Sequence, residues 1–327
     1  MRVDILILGA GWTSTFLMPL CTERSLTYAA TTRSGRDETI QFVFDPESED
    51  IEPYKVLPDA QTVVITFPIE LPGASARFVR LYRSSREEGE FETGFIQLGT
   101  TGIWDGNRKK NANASATTTP KPAENKWYDR HTPFVPNARA SAEIELLAQS
   151  TQLTPTTVLN LAGLWGGSRS PRNWVSRVAP TKEALRTKGS IHLIHGLDVS
   201  RAILAVHASW AQAAGQRWIL TDGRVYDWWD LASAWGLPAP FPAPAILLPS
   251  TEQGQTHLNM TTTTTTTTVT ATTAGEDRGP HARWVRELMR EEGVRALPRD
   301  VGMLGRALDS SEFWYGFGLS PLKARLE

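Results

Sequence analysis

A single cysteine, Cys21, stands among the 327 residues, which excludes an internal disulfide; on the first helix it reads as a small buried apolar residue rather than a nucleophile. Charge of either sign is not in excess. Lys plus Arg number 34 against 35 Asp plus Glu, a net charge of −1, so no overall field favours nucleic acid or an anionic membrane, and a small molecule is the expected partner. Long hydrophobic runs are missing as well. The apolar N-terminal stretch from Ile5 to Leu20 is broken by Gly9, Gly11 and Thr13-Ser14-Thr15. It falls short of the roughly 18 uninterrupted apolar residues of a spanning helix, and the same breaks argue against a signal peptide. A cytoplasmic location is expected. No Cys, His or carboxylate cluster has metal-ligand spacing, so no metal is expected, and His192 and His195 alternate with Ile191, Leu193 and Ile194 as strand residues. The triplets Asn113-Ala114-Ser115 and Asn259-Met260-Thr261 are of the kind that arise by chance.

What is present begins at the N-terminus. The apolar run Val3 to Leu8 passes directly into Gly9-Ala10-Gly11-Trp12-Thr13-Ser14 and then into a second apolar stretch, Phe16 to Cys21. This is a strand, a tight turn and a helix start. The first glycine permits the turn, and the second lets a pyrophosphate approach the backbone at the positive end of the helix. Ser14 takes the place of the third glycine that usually allows close packing of helix on strand. A dinucleotide cradle contacted by Gly9, Gly11, Trp12 and Thr13 is the expectation, with a purely structural turn as the alternative.

Strand and helix candidates then alternate, as in a doubly wound parallel α/β sheet. Strands are expected at Leu26 to Thr32, Gln41 to Phe44, Thr62 to Phe67, Gly94 to Leu98 and Thr157 to Leu161. Helices are expected at Leu71 to Arg86 and from about Val135 to Gln149. Two polar stretches, 107–125 and 252–277, the latter holding the threonine tract Thr261 to Thr268, read as flexible insertions. The whole chain, 1–327, is expected to form one domain with a small C-terminal substrate lobe built mainly from 164–190 and 222–327.

Within that lobe, Pro280 to Glu292 is expected to be a helix with an apolar stripe at Trp284, Leu288 and Met289, and Val301 to Leu308 a second helix. The aromatics Phe313, Trp314, Tyr315 and Phe317 are expected to pack on a core. Asp198 is expected to cap a helix starting at Val199. The tryptophans of Asp227-Trp228-Trp229-Asp230 either line a pocket or fill the lobe.

At the end of the second strand, where a carboxylate would bind an adenosine 2′-hydroxyl, the chain has Thr32-Arg33-Ser34-Gly35-Arg36. Two guanidinium groups and two hydroxyls, with no carboxylate before Asp37, favour a 2′-phosphate, hence NADP over NAD, through Arg33 and Ser34. A solvated turn is the alternative.

In the order of its motifs the chain resembles the short-chain dehydrogenase/reductase superfamily, in the extended and atypical branches that include epimerase/dehydratase-like proteins. The motifs are the glycine turn, Thr32-Arg33-Ser34, Phe44-Asp45, Leu98-Gly99-Thr100-Thr101-Gly102, Gly163-Leu164-Trp165-Gly166-Gly167-Ser168-Arg169 and Ile194-His195-Gly196-Leu197-Asp198. The resemblance implies a Rossmann-like fold, with Asp45 at the adenine, Phe67 and Pro68 along the cofactor and Thr100 or Thr101 at a substrate carbonyl. It further implies Trp165 and Arg169 on the substrate side, Arg169 near a substrate phosphate.

The departure lies in the catalytic pair. Members of the family use Tyr-x-x-x-Lys on a helix, and this chain has none; a helix placed through Glu143 puts Arg139 at the lysine position and Val135 at the tyrosine. Valine transfers no proton. Tyr128 and His131 are the nearest donors in sequence, off the family spacing. Two functions stay open: an NADP-dependent oxidoreductase or epimerase-like enzyme acting on a small carbonyl or hydroxyl compound, and a non-catalytic NAD(P)H-binding sensor or scaffold. Oligomeric state is not legible.

Overall fold

The strand-helix alternation folds into a seven-stranded parallel sheet in a computed structural model that describes residues 2–86, 92–105, 127–236 and 280–326. Its strands are β1 (Arg2–Leu8), β2 (Tyr28–Thr32), β3 (Ile40–Gln41), β4 (Asp59–Ile65), β5 (Gly94–Thr100), β6 (Thr156–Leu161) and β7 (Gln216–Leu220), in spatial order 3-2-1-4-5-6-7. The chain winds outward from β1 in one direction, then returns to its other side at β4. The register sets Ile5 beside Tyr28 on β2 and beside Thr62 on β4, and Leu98 beside Leu159. The order reverses between β1 and β4, and a crevice outside the carboxyl ends of the strands at such a point is where this architecture binds ligands.

Period-two alternation along the strands divides the core between the sheet's faces. Ile5, Ile7, Val64, Ile96 and Leu159 meet α1 (Ser14–Glu23) and the helix Gly196–Ala208 on one face. Leu6, Leu8, Val63, Ile65 and Phe95 meet α2 (Ala74–Ser84) and α3 (Ala138–Ala148) on the other. Cys21 is fully buried in the first layer, where burial raises its thiol to about 11; it is neutral near pH 7 and packs as an apolar residue, as expected. Phe313 and Trp314 of the tail join the same layer, while Tyr315 is 83% exposed.

Several expected elements are corrected. The helix foreseen from Val135 begins at Ala138, because Pro136 precedes Asn137 and the Asn137 side chain caps the start by accepting from Ala140 N at 2.9 Å. The helix from Val199 starts at Gly196 instead, capped by His195 Nδ1 accepting from Leu197 N; Asp198 lies in its first turn, fully buried, and accepts from Leu322 N and Lys323 N. Val301 to Leu308 is one 3₁₀ turn, Val301–Leu304, then a short strand, Ala307–Leu308, separated by Gly305 at φ 78°. The 107–125 and 252–277 insertions lie outside the described residues.

The chain divides into two compact units: Met1–Pro171 with Gly189–Asp227 and Pro298–Glu327, and Arg172–Lys188 with Trp228–Leu297. The second contains α-helices Lys182–Arg186, Trp228–Trp235 and Pro280–Glu291. Lys182 pairs with Glu287 and Glu291, and Trp229 is fully buried with its indole N–H donating to Leu185 O. Trp229 therefore fills this unit, and Trp228 is buried beside it in the same helix. The buried stripe of Pro280–Glu291 is His281, Ala282, Val285 and Leu288; Leu288 is as expected, whereas Trp284 and Met289 are half-buried beside it. No described helix is long and apolar enough to cross a membrane.

Candidate functional site

The glycine turn lies at the carboxyl end of β1. Gly9 has φ 90°, and a Cβ there would sit 2.7 Å from Thr66 Oγ1, so the turn requires glycine on two counts. Two threonines from neighbouring strands hold it: Thr31 Oγ1 accepts from Gly9 N at 3.1 Å, and Thr66 Oγ1 donates to Gly9 O at 2.8 Å. A Cβ on Gly11 would meet nothing nearer than Gly9 O at 3.9 Å. The space beside Gly11 is open. Ser14 takes the third glycine's place without strain, its hydroxyl donating to Gly11 O at 2.5 Å, and no side chain caps the start of α1. An anion at this point would meet unshielded backbone and the positive end of the helix dipole.

From Gly9 a cleft of about 940 Å³ opens between the ends of β1, β2 and β4, within the roughly 300–1,000 Å³ usual for small-molecule sites. It is lined by Thr31, Thr32 and Arg33, by Phe67, Pro68 and Ile69, and by Phe42, Phe44 and Pro46. The Phe44 and Phe67 rings stack at 5.5 Å, giving an apolar floor suited to a flat heterocycle. Gln97 of β5, which sequence reasoning passed over, fixes this wall by donating to Phe67 O at 2.9 Å.

Arg33 lines the cleft and Arg36 does not; Arg36 pairs with Asp37 at 2.7 Å on the exposed turn. Asp45 is exposed and accepts from Glu47 N at 2.9 Å in a local turn, while its neighbours Phe44 and Pro46 line the cleft. Glu70 contributes the one carboxylate among the cleft's described lining residues.

The residues expected near the chemistry are engaged in holding the fold. Thr100 Oγ1 accepts from Gly102 N at 3.1 Å, and Thr101 is buried in the 3₁₀ turn Thr101–Asp105. Arg139 donates to Leu98 O at 2.9 Å and lies 3.7 Å from Glu143, its expected partner one helical turn on. Val135, three residues before α3, is 37% exposed and outside the helix, so the one-turn spacing with Arg139 does not hold. Tyr128 is buried among Ile103, Trp104, Ala140 and Leu308, and His131 pairs with Glu312 on the surface at 2.9 Å. Neither lines the cleft.

Trp165 is buried with its ring edge-on to His195 at 4.7 Å. Arg169 is exposed, 4.5 Å over the indole of Trp12.

Glu143 also belongs to a buried polar cluster whose other members, Asn160 and Arg217, the sequence reading passed over. Glu143 accepts from Asn160 Nδ2 and from Arg217, both at 2.9 Å; burial raises its carboxyl above the usual range, and Arg217 opposes the rise. His192 is a buried acceptor from Leu308 N at 3.0 Å, and burial pushes its imidazole down to about 3.

Asp222, just past β7, is 3% exposed and accepts from Tyr226 OH at 2.7 Å, with burial raising its carboxyl from 3.8 to about 7. A carboxyl raised in the folded state stabilises it fully below about pH 4 and loses that contribution as pH rises through about 7. The urea midpoint of the wild type is therefore expected to fall relative to that of Asp222→Asn between pH 5 and 8. Parallel curves for the two proteins over that range would contradict the assignment.

No protein-family model and no curated protein matches the sequence. Two solved structures align over nearly the whole chain. One is a Methylobacillus flagellatus protein provisionally described as an NAD-dependent epimerase/dehydratase, at 14% identity and TM-score 0.53, covering 99% of this chain and 94% of that one. The other is a conserved protein of unknown function from Silicibacter pomeroyi DSS, at 15% identity and TM-score 0.52, covering 99% and 95%. At these identities the likeness concerns the fold alone, a Rossmann-like α/β fold built on the seven-stranded parallel sheet.

Proposed function

We propose, from a Rossmann-like fold shared with a provisionally described NAD-dependent epimerase/dehydratase, that this protein seats a nicotinamide dinucleotide in the cleft beside Gly9 and acts as an NADP-dependent oxidoreductase or epimerase-like enzyme. The observation that carries the proposal is the junction of the open glycine turn with a cleft lined by one cation, Arg33, and floored by the stacked rings of Phe44 and Phe67. Gly9, Gly11 and Thr13 would hold the pyrophosphate, Arg33 and Ser34 a 2′-phosphate, and Phe44 and Phe67 the adenine, with Asp45 at the rim. When bound, the cofactor supplies or accepts hydride at its nicotinamide ring. The substrate would be a small carbonyl or hydroxyl compound, its oxygen oriented by Thr100 or Thr101, while Arg139 with its fixed charge would hold ribose hydroxyls and move no proton.

A second reading, a non-catalytic NAD(P)H-binding sensor or scaffold, is favoured by one specific observation: neither Tyr128 nor His131, the nearest proton donors in sequence, lines the cleft. Losing a positioned acid or base costs about 10²- to 10⁴-fold in rate. Single-turnover oxidation of bound NADPH over a panel of carbonyl compounds separates the two, since an enzyme consumes the reduced nicotinamide's absorbance and a sensor leaves it unchanged.

Binding itself is tested by thermal shift. NADPH at 100 times its dissociation constant is expected to add about 2.7 kcal/mol of stability. Absence of a shift with both NADPH and NADH would refute both readings. Arg33→Glu is expected to weaken NADPH about tenfold or more through reversed charge at the cleft, with NADH much less affected. Equal loss for the two dinucleotides would remove the 2′-phosphate assignment.

A further inference from the structure

The hairpin after β6 lies against the glycine turn. Gly166 N donates to Arg169 O at 2.8 Å and Arg169 N to Gly166 O at 3.1 Å, and Gly166 and Gly167 both take positive φ to close this tight reversal. Trp12, the residue after Gly11, reaches across to it, with Nε1 donating to Gly166 O at 3.0 Å. The indole is held from below by Phe16, edge-on at 4.9 Å, and carries the Arg169 guanidinium 4.5 Å above its ring. No carboxylate pairs with Arg169 among the described residues.

A guanidinium stacked on an indole uses its face and leaves its N–H edge for a second partner. That edge belongs to a rotamer already restrained by the stack, so less freedom is lost when an anion arrives. The anion must match a planar fork, as a phosphate does, and must lie beside Trp12, which is beside Gly11 and its open flank. A substrate phosphate, the role implied by family resemblance, has no such reason to lie against the first residues of α1.

We propose that Arg169, stacked on Trp12, binds the pyrophosphate of the dinucleotide rather than a phosphate of the substrate. The inference rests on the cofactor reading above. It gives Trp12 a purpose that a small residue would not serve: the indole is the platform that aims a cation from the other half of the sheet at the glycine turn.

The experiment compares the dissociation constants of NADPH, NADH and adenosine 2′-phosphate, which has no pyrophosphate, in the full-length wild type and in Arg169→Gln, Arg169→Lys and Trp12→Leu. Arg169→Gln is expected to weaken the better-bound dinucleotide about tenfold, to leave adenosine 2′-phosphate unchanged, and to flatten the salt dependence of dinucleotide binding. Arg169→Lys should recover part of the loss, and Trp12→Leu should act in the same direction as Arg169→Gln. Unchanged dinucleotide binding in Arg169→Gln, or equal weakening of adenosine 2′-phosphate, overturns the proposal while the cofactor reading stands. A wild type that binds no dinucleotide overturns both.

Discussion

Gly9→Ala is expected to lower stability by about 3 kcal/mol, the sum of a non-glycine residue held at positive φ and a methyl group forced against Thr66 Oγ1. Gly11→Ala is expected to behave in the opposite way. Its Cβ meets no atom nearer than 3.9 Å, so stability should change by about 0.5 kcal/mol or less, yet the methyl occupies the flank proposed for the pyrophosphate. Dinucleotide affinity should therefore fall in a protein whose urea midpoint is unchanged. Two glycines in one motif thus have separable tasks, one for the backbone and one for the ligand. A Gly11→Ala protein that binds NADPH as tightly as the wild type would place the pyrophosphate elsewhere.

The second large effect concerns a buried ion pair that does not line the cleft. Arg299 donates from Nε and Nη2 to the two carboxylate oxygens of Asp227 at 3.0 and 2.7 Å, with Arg299 4% and Asp227 0% exposed at the side chain. Arg299→Met leaves a buried carboxylate without its guanidinium and is expected to cost about 3–5 kcal/mol. Replacing both partners, as Asp227→Leu with Arg299→Met, is expected to recover most of that loss, because the desolvation penalty of the pair disappears with it. Denaturation of the two single variants and the double variant measures the coupling directly. Additive losses would show that the pair acts as two separate contacts.

The first strand, turn and helix were legible because three signals coincide within about 20 residues: a continuous apolar run, a glycine forced to positive φ, and a second apolar run. β5 and β6 were legible for a similar reason, being short apolar runs buried on both faces. β7, Gln216–Leu220, escaped notice because Gln216 and Arg217 open it, and Arg217 is buried only through its partner Glu143 on another element. The start of α3 was misplaced because apolar spacing continues through Val135, whereas Pro136 and the Asn137 cap decide where the helix can begin. Of the residues lining the cleft, Arg33 was singled out from the end of the second strand and Phe67 from the family resemblance. Thr31, Thr66 and Gln97 were not, since a hydroxyl or amide that holds a neighbouring strand's backbone has no local pattern. The Arg169 stack on Trp12 joins segments whose proximity only the crossover connections determine.

The hydrogen bond from Trp12 to Gly166 also sets a timetable for biogenesis. Its partners are 154 positions apart, so on a ribosome extending by about 5–20 residues per second the glycine turn waits roughly 8–30 s for the segment that covers it. During that interval the nascent N-terminal half carries the turn without Gly166 or the arginine beside it. The Trp12 contact is thus a late product of synthesis, formed only after the sixth strand has emerged and docked.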